Sequence, residues 1–268
     1  MRLPNIAVAL PRLLAPTGTA APTRTRRSRR VADVARGALT PDAVRPMTAD
    51  HARAAAELHR RYIRTGFLSK LGGGFLRHLY AAIASSPSGF GFVCEDDNGE
   101  VLGFVACAEN TGKLYRQSLL RRGLFMAFAI IRYLVRPSCI KRMLETLRYP
   151  AEVGSDLPQA EVLSVSVARR ARGRGIGKLL LKTALAEFAR RGIDRAKVAV
   201  SADNSGARAF YKCCGFRLVL TREHHGLPMN VYAIGDLTGR LARREAPVIP
   251  ATWADAPEAD RAIARDVA

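Results

Sequence analysis

Between Glu161 and Phe216 the chain reads EVLSVSVARRARGRGIGKLLLKTALAEFARRGIDRAKVAVSADNSGARAFYKCCGF, and this stretch restricts the possible folds more than any other. Val162, Val165 and Val167, interleaved with Ser164 and Ser166, have the character of a half-buried strand. The strand runs into a turn made almost entirely of Arg and Gly, and a helix opens near Gly177. The first backbone N–H groups of a helix have no intrahelical partner, and the helix dipole is positive there. A glycine turn that leads a strand onto such an end is a cradle for an anion with several oxygens, of pyrophosphate size.

The remaining elements follow from the same periodicities. Residues 43–48 read as a short first strand, with Asp50 placed to cap the helix after it. Residues 75–84 put Phe75, Leu76, Leu79, Tyr80 and Ile83 on one helical face. Gly72-Gly73-Gly74 lacks the Gly-Lys-Ser/Thr ending of a phosphate loop and reads as a hinge between two helices. Residues 90–95 and 101–108 are strands joined through Asp97-Asn98-Gly99, a hairpin signal. A fourth strand (161–167), a helix (177–191), a fifth strand (196–201), a helix (205–213) and a closing pair of strands (216–222 and 229–235) complete the order.

This order, together with Arg172, Gly175 and Gly177 in the turn and Asn204, Tyr211, Gly215 and Phe216 after the fifth strand, resembles the GNAT superfamily of acyl-CoA-dependent N-acyltransferases. The turn alone is a weak signal in an Arg-rich chain. In this order and spacing the set is a strong one. The resemblance covers about residues 42–237 and implies an α/β (α+β) fold: a mixed, mostly antiparallel central sheet flanked by helices. It implies acetyl-CoA or a near relative as cosubstrate, no metal, and an amine-bearing acceptor. The expected cofactor contacts are Val165, Ser166 and Val167 through their backbone, Arg172, Gly173, Arg174, Gly175, Ile176, Gly177 and Lys178 at the turn, and Asn204. The connection at residues 64–68 would border the acceptor site.

Aminolysis of a thioester needs a neutral amine, a held carbonyl and a place for the thiolate's charge. Lysine-type amines are almost wholly protonated at neutral pH, so a proton acceptor is required. Glu161 is the candidate base, eleven residues before Arg172, where the histone acetyltransferase-like members of the family carry a strand glutamate. The bland alternative is a solvated residue at a strand start. Tyr211 is the candidate acid beside the departing sulfur, by its place in the family pattern, against a core tyrosine with a bonded hydroxyl. Asn204 reads equally as a helix N-cap and as a contact to the CoA arm, and the two are compatible. Arg169, Arg170, Arg172, Arg174 and Lys178 are either a solvated basic loop or, two or three of them, contacts to the phosphates. His224 and His225 read as edge residues near the last hairpin, with acceptor contacts as the alternative.

A formal charge of +20 over 268 residues predicts attraction to polyanions without specifying a fold. The basic clusters contain no run of five Lys/Arg and no interleaved aromatics, which argues against nucleic acid as the partner. Five cysteines, Cys94, Cys107, Cys139, Cys213 and Cys214, show no metal or redox spacing and fit small core residues of a reduced, cytoplasmic protein. Residues 1–41, with RTRRSRR at 24–30, read as a disordered basic leader, and residues 238–268 as a tail. Residues 109–157 form a helical insert between the third and fourth strands, apolar yet studded with arginines. It reads as a hairpin packed on the domain. The sharper alternatives are a lid over the acceptor, a homodimer surface, or an interfacial helix on an anionic membrane. The competing functional class is a CoA-binding or membrane-surface module without turnover.

Overall fold

The computed structural model describes residues 43–63, 67–117, 157–224 and 226–243. The expected leader, most of the insert and the distal part of the tail lie outside these residues. Seven strands form one sheet: β1 (Val44–Pro46), β2 (Gly89–Glu95), β3 (Val101–Ala108), β4 (Ala160–Val167), β5 (Ala196–Ser201), β6 (Arg217–His224) and β7 (Leu227–Ile234). The order across the sheet is β1-β2-β3-β4-β5-β7-β6. Every neighbouring pair is antiparallel except β4 and β5, which are joined through a helical crossover.

Helices α1 (Ala52–Tyr62), α2 (Phe67–Lys70) and α3 (Gly72–Ser85) lie on one face. Their apolar side chains, including Ala55, Leu76, Leu79, Tyr80 and Ile83, pack with Val93, Phe104, Ala106 and Ala108 of the sheet. Helix α4 (Ile176–Arg190) and α5 (Ser205–Cys213) follow on the chain, and a second core gathers Ile176, Leu180, Leu181, Ala184, Leu185 and Phe188 with Val105, Cys107, Val162 and Val198. Neighbouring residues of β3 thus enter opposite cores, as the two-residue repeat of a strand requires. Gly103 lets α4 press close, since a Cβ there would lie 3.2 Å from both Ile176 and Leu180.

Three local expectations are revised. Helix α1 is N-capped by His51, not Asp50, and no side chain caps it; the Thr48 N–H instead donates to His51 Nδ1 at 2.9 Å. The Gly72–Gly74 run is not a free hinge but the first turn of α3, with only Gly72 at positive φ (84°) marking the change of direction from α2. The fold also continues past residue 237: α6 (Leu237–Ala242) buries Leu237, and Asp194 accepts hydrogen bonds from the backbone and hydroxyl of Thr238. At the start of the insert, residues 111–117 are helical, and Leu114 enters the core under α3. That beginning therefore belongs to the main domain.

Candidate active site

Strands β4 and β5 touch only at Ala160↔Ala196 and Glu161↔Lys197, and from Val162 onward they diverge. On the other side β4 stays paired with β3 as far as Val167↔Gly103. The Ala168 N–H bonds the Leu102 carbonyl at 2.7 Å, and this fixes the phase of the antiparallel ladder. Ser164 and Ser166 spend their backbone groups on β3, whereas Val165 and Val167 turn theirs toward the side that β5 has left. Ser166 thereby departs from its expected role: its backbone belongs to the ladder, and only its side chain is available. That hydroxyl is buried and finds no hydrogen-bond partner among the described residues.

The open side leads to the glycine turn. Gly173 and Gly175 have φ of 72° and 81°, and a Cβ on either would meet nothing within 4 Å, so their backbone faces open space. Gly175 is the N-cap of α4 with no side chain capping it. The first intrahelical bond runs from the Leu179 N–H to the Gly175 carbonyl, and the Ile176 and Gly177 N–H groups lie ahead of it at the helix end. The Ile176 side chain is wholly buried, so only its backbone can serve a ligand. These features fit a polyphosphate-bearing cosubstrate such as acetyl-CoA: a Cβ-free cradle at a positive helix end, opening beside a strand whose amides have lost their neighbour.

The charged residues of the turn divide. Arg172 Nε donates to the Val167 carbonyl at 3.2 Å, and its guanidinium lies 5.0 Å from the ring centroid of Tyr62, so it ties the end of α1 to the turn. Arg170 is ion-paired with Glu100 at 2.6 Å. Arg169 and Arg174 are exposed, and Lys178 is half-buried near Cys214. Asn204 is the N-cap of α5, accepting the Ala207 N–H at 3.0 Å through Oδ1.

Glu161 sits at the vertex of the splay and is buried. The Thr111 hydroxyl donates to Glu161 Oε2 at 3.0 Å, and the buried Lys197 Nζ lies 3.8 Å from the same oxygen while donating to the Pro158 carbonyl. Burial holds Lys197 below the usual lysine pKa, and the Glu161 carboxylate partly offsets this. Tyr211 is packed edge-on between Phe210 and Phe216 at 5.1 and 5.5 Å and is buried, with no hydrogen bond to its hydroxyl among the described residues. Burial pushes its pKa well up, and the neighbouring Cys214 and Cys107 add to this.

A polar group that the sequence reading missed lies on the α1 side of β4. The His59 Nδ1 and the Tyr80 hydroxyl are 2.5 Å apart, His59 Nε2 is 3.0 Å from the Ser69 hydroxyl, and Ser69 donates to the Ile63 carbonyl. Ser164 is a hydrogen-bonding neighbour of Tyr80. Burial lowers the His59 pKa to about 4. His224 is the last residue of the edge strand β6, while His225 falls outside the described residues.

The sequence profile of the Acetyltransferase (GNAT) family matches residues 57–216. A mycothiol acetyltransferase from Beutenbergia cavernae is 36% identical over 73 residues, which span 27% of this chain and 25% of that relative. The chain therefore matches only about a quarter of that relative's length. Among solved structures, the protein named SsHAT is similar at 23% identity and a TM-score of 0.52, over 72% of this chain and 98% of that one. A GCN5-related N-acetyltransferase from Kribbella flavida aligns at 20% identity and a TM-score of 0.47, over 73% and 99% of the two chains. The profile spans more than half of the sequence and contains both the glycine turn and the Asn204–Phe216 segment, so the chain belongs to the GNAT acetyltransferase family.

Proposed function

We propose that this acetyltransferase is an N-acetyltransferase that uses acetyl-CoA and moves the acetyl group directly to an amine, in the cytoplasm. The observation that carries the reading is the divergence of β4 from β5 immediately past Glu161, which turns the Val165 and Val167 backbone toward a gap that ends at the Gly175 turn. Acetyl-CoA, when bound, supplies an acetyl group activated as a thioester. The turn from Arg172 to Lys178 would hold its phosphates, with Arg174, exposed at the turn, and Lys178, in the first turn of α4, among the cations that would face them. Val165 and Val167 would align the pantetheine arm, and the Val165 N–H would polarise the carbonyl. Asn204 would touch the arm from the start of α5.

Glu161 would receive the proton of the incoming amine, directly or through water, its carboxylate held ready by Thr111 and Lys197. Tyr211 keeps its proton across the working pH range, because burial raises its pKa. A thiol has a reference pKa of about 8.5, so full proton transfer from so weak an acid would run uphill. Tyr211 therefore acts as a hydrogen-bond donor to the departing sulfur. The test is thiol release from acetyl-CoA by the intact chain with a panel of primary amines, followed by mass measurement of the products. Amine-dependent thiol release with a 42 Da gain on the amine is the expected result; CoA binding without release for any amine would leave a binding module.

A further inference from the structure

We infer that Ser164 and Ser166 form the seat for the attacking nitrogen of the acceptor, a primary amine, and that Tyr80, His59 and Ser69 hold Ser164 in its accepting state through a one-way chain of hydrogen bonds. The inference rests on the acetyl-transfer reading above and names the class of acceptor that reading leaves open.

The register of β4 is the first ground. Ser164 pairs with Ala106 but Val162 with Cys107, so Leu163 is an extra residue in β4. A bulge of this kind sets two successive side chains on one face. Val162, Val165 and Val167 face the α4 core, whereas Leu163 packs with the α1/α3 core and Ser164, paired with Ala106 of that core, lies on the same side beside Tyr80. Ser166 is paired with Phe104, also of the α1/α3 core, and so shares this face. The two serines thus flank Val165, whose backbone faces the gap expected to hold the thioester.

The direction of the chain follows from its far end. A carbonyl only accepts, so the single hydrogen of Ser69 is committed to Ile63. Ser69 can then only accept from His59, which places the ring hydrogen on Nε2. In a neutral imidazole Nδ1 is then bare and accepts the Tyr80 O–H. The phenol hydrogen is spent, and Ser164 must donate to the phenol oxygen. Every hydrogen in the chain is committed away from the gap, leaving Ser164 only lone pairs to offer. Ser166, more than nine-tenths buried and without a partner among the described residues, offers a second hydroxyl oxygen on the same face. Two accepting oxygens match the two N–H bonds of a neutral primary amine and leave its lone pair free to attack. A secondary amine fills one of them, as does a thiol or alcohol.

The experiment measures acetyl transfer to primary amines and to the N-methyl form of each, together with the 15N shifts of His59. The wild type is expected to show a His59 ring protonated at Nε2 and to favour primary over N-methyl amines in kcat/KM. Ser164→Ala should raise the amine KM by about tenfold, the upper worth of one neutral hydrogen bond, and narrow that preference without changing the acetyl-CoA KM. Ser164→Thr, which keeps the hydroxyl, should restore both. Tyr80→Phe should shift the amine KM in the same direction and move the His59 Nδ1 resonance. If these variants lose only thermal stability while amine KM and preference stay as in the wild type, or if His59 is protonated at Nδ1, the serines and the chain are core polar groups and the inference fails. A wild type that turns over no amine removes the underlying reading, and this inference with it.

Discussion

His59 shows how one buried side chain sets a pH limit on the molecule. Its pKa falls from the reference 6.5 to about 4 because burial disfavours the imidazolium. Between those values the unfolded chain binds the proton and the folded one does not. The stability linked to neutral His59 is therefore complete above pH about 6.5 and lost as pH falls toward about 4. The full loss corresponds to about 3 kcal/mol at 1.36 kcal/mol for each pH unit of separation. Urea unfolding of wild type and His59→Gln at pH 7 and 4.5 should show a smaller acid loss in the variant; equal losses would assign the acid sensitivity elsewhere. For Tyr211→Phe the expectation is a drop in turnover of about ten- to a thousandfold with little change in CoA affinity. Because Tyr211 stays protonated, the ratio of the two rates should be constant across the alkaline range, and an unchanged rate would make Tyr211 a packing residue. Glu161→Gln should move the pH-rate profile toward higher pH, since an amine without its proton acceptor must lose its proton to solvent. An unaltered profile would remove Glu161 as the base.

At the scale of elements, the turn between β4 and α4 carries the cofactor prediction. Gly175→Ala meets no steric neighbour, so its cost is the left-handed backbone alone, about 1–2 kcal/mol. Gly175→Asp adds a negative charge where the phosphates are expected to sit. Both variants should fold, and the rise in melting temperature produced by millimolar acetyl-CoA should be present in the wild type, reduced in Gly175→Ala and absent in Gly175→Asp. Equal shifts in all three would place the phosphates elsewhere. The turn was legible in the sequence because its glycines, its cations and the helix after it are local. The bulge in β4 was not drawn from the sequence, although its sign is there: Val162 and Val165 are three apart, one more than an alternating strand allows. The pairing of His59 with Tyr80 escaped notice for another reason. The two are 21 residues apart on separate helices, and each reads as one more member of an amphipathic face.

At the scale of the whole molecule, the start of the insert is built into the domain. Its first helical residues, 111–117, are structural: Leu114 is fully buried, Thr111 bonds Glu161, and the Gln117 Oε1 accepts the Ser86 hydroxyl at 2.6 Å. A replacement should therefore spare them. Exchanging residues 118–156 for a short Gly/Ser linker is expected to leave the domain folded and CoA binding measurable by calorimetry, while acetyl transfer to the acceptor falls. A variant that acetylates the same amines with the same preference would make those residues scaffold. Among the described residues no helix is long and apolar enough to cross a membrane.

What the sequence determined by itself were the features written in neighbouring residues: strand and helix periods, the glycine turn with its cations, the Asn-Gly hairpin, and the element order that marks the family. What only the tertiary structure decided were the relations between distant segments. The sheet phase turns the backbone groups of Val165 and Val167 to the open side and those of Ser166 toward β3, because one antiparallel ladder admits only one alternation. The pairing of Glu161 with Lys197 and Thr111 joins three elements, and burial of all three couples their charges and hydrogen bonds. Arg172, read as a phosphate ligand, also donates to the Val167 carbonyl and lies over the Tyr62 ring, because folding brings the end of α1 against the turn. Side-chain chemistry is fixed by the local residue, but its protonation, partner and direction are fixed by whatever the fold packs against it.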